Sequence, residues 1–445
     1  MTFAPFHSHS LPVLTATLVA CAWGPLSACS SSSSSPPPSG SPDARADSRP
    51  VTTHDGGVHD SGTHAEAGGG TDSAAEAGPT CATALPEPAT DLYVDQTYAG
   101  GASNGTTACP FVTIVDAVNR AAALSALQTI HVKGNSSQPL VYAEKTAVQL
   151  PFGVNLSGDG PGATIIKADG PCLTTTCAVL VQGSSTLSGV QVTDATGNGV
   201  VTQQGGGVPS LQNVTITGSG LDGLYSVKDV ILGPSFQSLS NKQAGVHSTG
   251  DATTAGLEFT GTGNAASMNG THGVFVEGTA ALAMDGSLTT SGNGQNGVSI
   301  EGTSVTGSPA THMVNALTAK NNQRAGLSVL HGLPVDITQS KLEGNGVMGL
   351  YYDFATSPVA NLNLQDGAPD NNFGSGTSTA NNKSAGIFLC NASGTVPAGS
   401  NFWSACPPTT ATATNCTATP AAYADVVLAP TAGATVDANN CQVGQ

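Results

Sequence analysis

Between about residue 180 and residue 390 the chain repeats one short pattern, a glycine followed by an apolar, any, apolar triplet. It occurs at Gly199 with Val200, Gly223 with Leu224, Gly245 with Val246, Gly273 with Val274 and Val276, Gly297 with Val298 and Ile300, Gly326 with Leu327 and Val329, Gly349 with Leu350, and Gly386 with Ile387 and Leu389. The glycines are separated by 24, 22, 28, 24, 29, 23 and 37 residues. A period clustered in the twenties marks a solenoid, and alternation within each unit marks a strand with one side chain of each pair turned inward. Further alternating segments lie between the glycines, at Leu187 to Val192, Leu211 to Ile216 and Val335 to Leu342. A coil of this size buries its apolar face only against neighbouring coils. Parallel strands joined by a crossover turn right-handed, so the pattern predicts an all-β fold, a right-handed parallel β-helix.

Asparagine gathers just ahead of the glycines, at Asn198, Asn269, Asn296, Asn321, Asn322, Asn345, Asn381 and Asn382. Two properties suit it to such corners: it tolerates left-handed backbone angles, and stacked carboxamides hydrogen-bond along a column of coils. Upstream, Leu92, Tyr93 and Val94 begin the ordered region, and Thr129, Ile130, His131 and Val132 form another alternating strand. Between them, Val115 to Leu127 reads as the one helix, with Val115, Val118 and Ala122 on one face and Asp116 near the positive N-terminal end. One amphipathic helix ahead of the strands is what a solenoid needs to cover its first coil.

Composition extends this picture to the rest of the chain. Gly is 56 of 445 residues and charged residues are 9%, a profile that favours turns and short strands over long helices. Residues 29–90 are mostly Ser, Pro, Gly, Ala, Asp and His and lack the apolar surface to offset ordering entropy, so they read as a disordered tether. His54, Asp55, His59, Asp60, His64 and Glu66 recur there at five-residue spacing, which suits an acidic spacer better than a metal site. Residues 1–28 read as a signal peptide, whose apolar run from Leu11 to Trp23 is too short to span a bilayer. Leu26, Ser27, Ala28 and Cys29 resemble a bacterial lipobox. The resemblance implies lipidation of Cys29, a membrane anchor and a place in the cell envelope, with Ser30 pointing to the outer membrane or cell surface.

A net charge of -17 repels a phosphate backbone and argues against a nucleic-acid partner. Of the 10 cysteines, setting aside Cys21 and Cys29 leaves an even number, as expected of disulfides in an exported chain. Cys172 and Cys177 bracket so short a loop that their pairing is expected, while the connectivity of Cys81, Cys109, Cys390, Cys406, Cys416 and Cys441 stays open. The cysteine-rich stretch from about 390 reads as a cap at the far end of the 91–445 body.

Leu92-Tyr93-Val94-Asp95, Pro110-Phe111-Val112-Thr113-Ile114 and the segment from Leu150 to Gly158 resemble the N-terminal part of the DUF1565-type, pectin-lyase-like parallel β-helix proteins. The later glycine units are similar to the repeats of that superfamily, and the resemblance covers about 350 residues. It implies the fold but not one activity, because the superfamily holds lyases, hydrolases, epimerases, esterases and members without known catalysis. Calcium is the one cofactor the resemblance raises.

Candidate chemistry is sparse. Glycoside hydrolysis needs two carboxylates about 5 to 10 Å apart, and Asp336, Asp353, Asp366 and Asp370 are the available ones. Thr271-His272-Gly273 is similar to one element of polygalacturonases, but His272 reads better as a turn residue. Arg324, with Lys320 and Lys341 nearby in sequence, is the basic candidate for lyase chemistry and reads as a solvated turn charge. Tyr351 and Tyr352, next to Asp353, are candidates for a sugar-stacking edge, with at least one of them expected in core or rim packing. The expected function is a surface-anchored, non-catalytic β-helix for adhesion, glycan contact or envelope structure. The alternative is a polysaccharide lyase or glycoside hydrolase, whose mark would be two or three carboxylates with a Lys or Arg on one outward face.

Overall fold

Every glycine-led triplet forms a strand, and these strands stack in parallel. Val200 pairs with Leu224, Leu224 with Val246, Val246 with Val274, Val274 with Val298, Val298 with Leu327, Leu327 with Leu350, Leu350 with Ile387 and Ile387 with Val426. All of these side chains are buried in the core. The computed structural model describes Cys81 and residues 90–443, apart from segments at 125–127, 174, 204, 251–255, 303–310, 356–360, 365–370, 374–381, 399–400, 404, 407, 417–422, 430–433 and 438–440. Cys29, the His54 to Glu66 tract, Asp366, Asp370 and Asn381 lie outside the described residues.

The chain winds as a right-handed parallel β-helix with three strand faces per coil. The glycine-led strands make the first, a 13-stranded sheet running from Val148–Leu150 to Ala424–Ala429 and the edge strand Thr410–Thr412. The other two faces together form an 18-stranded sheet, because Thr186–Thr193 and Ser210–Thr217 run round the corner between them. The second face begins with Asp91–Val94, Gln128–Val132 and Val154–Gly158, and the third with Leu140–Ala143 and Thr164–Lys167. The cysteine-rich end keeps this winding: Ala385–Cys390 pairs with Ala424–Ala429, Thr395–Pro397 with Thr435–Asp437, and Phe402–Trp403 with Gln442–Val443.

The helix spans Ile114–Ala122 and so starts one residue earlier and ends sooner than the pattern predicts. Thr113 accepts from the Asp116 amide as N-cap, which makes Ile114 the first helical residue and turns Ile114, Ala117, Val118 and Ala121 inward. It packs on Val148–Leu150, at the place where a preceding coil would put a strand. Four disulfides join Cys81 to Cys109, Cys172 to Cys177, Cys390 to Cys416 and Cys406 to Cys441.

Polar columns hold the corners. Asn241, Asn269, Asn293, Asn322, Asn345 and Asn382 are buried, and each of the first five donates its carboxamide to the next at 2.8 to 3.1 Å. Asn321 is the left-handed residue at that corner, with φ 55°. Asn198 and Asn296 stand in a different column, accepting from the amides of Asp222 and Ala325. The repeat glycines need no unusual backbone angle. A Cβ on Gly297 would stand 2.6 Å from the Gly326 carbonyl oxygen and 2.8 Å from the Asn322 amide, so glycine lets the coils close over the ladder.

Candidate functional site

The middle residue of each glycine-led triplet points away from the solenoid core, opposite the two core side chains, and the register lines these residues up along the first face, where Ser299, Ser328 and Phe388 are nonetheless buried. Tyr225 pairs with His247, His247 with Phe275, Phe275 with Ser299, Ser299 with Ser328, Ser328 with Tyr351 and Tyr351 with Phe388. At the start of this row the rings form a continuous cluster. Tyr225 meets His247 edge-on at 5.2 Å, His247 lies 4.8 Å from Phe275, and His272 stacks on Phe275 at 5.1 Å.

Carboxylates bracket His247. Its Nδ1 is 3.0 Å from Oδ2 of Asp222, and its Nε2 is 3.1 Å from Oε1 of Glu277. Asp222 is nearly buried and also accepts from the Ala244 amide, whereas the Glu277 side chain is 41% exposed. Burial works against a charge on His247, but the two carboxylates outweigh it and raise its pKa. His272 is the opposite case. Burial, helped by the positive field of Arg324, lowers its pKa to about 4, so the ring is neutral at physiological pH. Next to this cluster, Asn296 donates to the Ser299 hydroxyl, which donates to Glu301 at 2.9 Å. Glu277 and Glu301 each follow a paired residue, Val276 and Ile300, and so stand on successive coils.

The residues singled out from sequence are distributed differently. His272 joins the ring cluster rather than acting only as a turn. Arg324 is exposed in the turn leading into the same face, close enough to bias His272. Asp353 shares this face but bonds to the Ala355 amide and Asn391, while Asp336 lies on the second face, paired with Met313 and Asn363, so the two are not brought together. Tyr352 is the core tyrosine, donating to the Leu333 carbonyl, and Tyr351 is the outward one, stacked on Phe388. Lys320 is paired with Glu343 at 3.0 Å on the third face. Asp222, His247 and Glu277 were not found from sequence. The signal was the unconstrained middle position of the repeat, which reads Tyr, His, Phe, Ser, Ser, Tyr, Phe from Tyr225 to Phe388.

Asp222 and Glu277 each pair with His247 instead of converging on a point, and no cluster of three or more His, Cys, Asp or Glu among the described residues is arranged to hold a metal ion. Chemically, the arrangement offers a ring surface for stacking, an imidazole fixed between carboxylates that favour its protonated form, and Glu277 as its accessible acidic group.

No protein-family profile and no curated protein matches the chain. Among solved structures it is similar to the A-module of the mannuronan C-5 epimerase AlgE4 of Azotobacter vinelandii, at 15% identity over 79% of this chain and 100% of that one, with a TM-score of 0.42. It is also similar to the catalytic unit of the GH87 α-1,3-glucanase of Streptomyces thermodiastaticus, at 13% identity over 81% of this chain and 70% of that one, with a TM-score of 0.48.

Proposed function

We propose that this protein is an envelope-anchored β-helix that binds an extracellular polysaccharide along its glycine-led face. The observation that carries this reading is the ring cluster Tyr225, His247, Phe275 and His272, held from behind by the buried Asp222 and edged by the accessible Glu277. Sugars present apolar C–H faces and a rim of hydroxyls, and aromatic rings beside fixed carboxylates match both. Strand layers about 4.8 Å apart place successive rings at a spacing suited to an extended chain. Anchoring rests on Leu26 to Cys29 followed by the long polar tether. Replacing Cys29 with Ser is expected to release the protein from the membrane fraction; identical fractionation of mutant and wild type would remove that part of the reading.

One observation favours the catalytic alternative. Glu277 and Glu301 occupy successive coils beside the His247 imidazole, and glycosidases use two carboxylates about 5 to 10 Å apart. The full chain is therefore incubated with a polysaccharide panel, with and without calcium, measuring binding, new reducing ends and unsaturated products. Binding without products, weakened about tenfold by Phe275→Ala, is the expected result. Products abolished by Glu277→Gln establish the alternative, and no binding by any member of the panel sinks the glycan reading.

A further inference from the structure

A second set of side chains unlike ordinary solenoid surface lies on the second face of the first coils. Tyr93 pairs with His131 and His131 with Ser157, and in the next outward positions Asp95, Lys133 and Asp159 follow the paired residues Val94, Val132 and Gly158. The Tyr93 and His131 rings are stacked, 5.0 Å between centroids and 20° between planes. His131 is fixed by Asp91 at 2.8 Å, and the Lys133 ammonium is 2.6 Å from Asp95. Over this floor opens a cavity of about 450 Å³, whose wall at Thr107 and Pro110 adjoins the Cys81–Cys109 disulfide. A neighbouring cavity of about 420 Å³ shares Lys133 and Asp159 with it.

The lining restricts the ligand. Two carboxylates, Asp95 and Asp159, outnumber the one lysine in the lining, and Asp91 is bonded to His131, which together disfavour a polyanion. A stacked ring pair supplies an apolar platform, and beside it Lys133 and the carboxylates present donors and acceptors at close quarters. Burial pushes the Asp95 carboxyl up, but Lys133 and Thr97 outweigh it, so this acceptor stays ionised. The volume falls in the range of small-ligand sites.

We propose that this cavity is a second carbohydrate site, seating a short segment of a neutral glycan with a sugar ring on Tyr93 and its hydroxyls on Asp95, Lys133 and Asp159. It shares a ligand class with the reading above but none of its residues. Hydrogen exchange of the full chain is measured with cello-, laminari- and malto-oligosaccharides, and with oligogalacturonate as the charged control. A neutral oligosaccharide is expected to protect peptides covering 91–95, 128–133 and 154–159, with affinity there reduced at least tenfold by Tyr93→Ala and unchanged by Phe275→Ala. Protection confined to 224–226, 246–248 and 274–276 leaves the glycine-face reading standing and overturns this one, and protection confined to the first coils does the reverse. Preferential protection of the first coils by oligogalacturonate, or unchanged affinity in Tyr93→Ala, also overturns it.

Discussion

Asn293 donates its carboxamide to the side-chain oxygen of Asn322 at 2.8 Å, across 29 residues of chain and one layer of the coil. It also donates to the Ala266 carbonyl and accepts from both the backbone and the side-chain amide of Asn269. Replacing Asn293 with Leu strands buried partners on both neighbouring coils. The expected loss is about 3 kcal/mol or more in urea unfolding, against less than about 0.5 kcal/mol for Asn321→Gly, which touches no ladder bond.

Gly297→Ala is expected to be among the most damaging small substitutions, since its methyl has the Gly326 carbonyl at 2.6 Å and the Asn322 amide at 2.8 Å. Gly162, with nothing within 4 Å of an added Cβ and no left-handed backbone, is the control. Alanine there should leave the thermal midpoint unchanged or raise it slightly, by reducing unfolded-state freedom.

Stability should fall as the solution is acidified from about pH 6.5 towards pH 4. His272 and His312 are buried, and their pKa values are both lowered to about 4, so below 6.5 the unfolded chain takes up protons that the native chain refuses. Each contributes up to about 3 kcal/mol over that window. His247 has the opposite sign: its raised pKa adds stability that is full below 6.5 and lost as pH rises through the raised value. Urea midpoints at stepped pH in wild type and His312→Gln separate the two, because the substitution should flatten only the acid limb.

Chain-entropy arguments rank the disulfides by loop length. Cys406–Cys441 closes a separation of 35 residues and Cys172–Cys177 one of 5. Removing the first pair should cost about 4 kcal/mol and the second about 2 kcal/mol. Equal midpoints for the two double-alanine variants would show that local contacts, not loop closure, dominate.

The inward half of the repeat was plain in the sequence, because Val200, Leu224, Val246 and their equivalents meet only one another and must all be apolar. The Asn ladder was half visible. Asn269, Asn322, Asn345 and Asn382 stand out beside the glycines, while Asn241 and Asn293, which stand at the same four-residue offset ahead of Gly245 and Gly297, belong to the same column and were passed over. The candidate site was hidden for a different reason. Asp222, His247 and Glu277 fall on three coils, with 25 residues from Asp222 to His247, and no local spacing relates them until the register is known. Whether Asp336 and Asp353 meet was left open by the sequence, because face assignment depends on the corner between strands, which the alternating pattern does not encode.

The asparagine column has a direction as well as a length. It begins where the Ser219 amide reaches Asn241, and it ends where Asn382 gives its protons to the Leu342 and Phe373 carbonyls. Every interior member both receives from the coil before and gives to the coil after, so one interior coil can succeed another without leaving a bond unmade. A gene duplication that copies a whole coil between Asn269 and Asn345 would therefore lengthen the protein smoothly, whereas one that copies either terminus would put a coil that does not pass the bond on into the middle of the column. The fold thus carries its own rule for how the chain can grow.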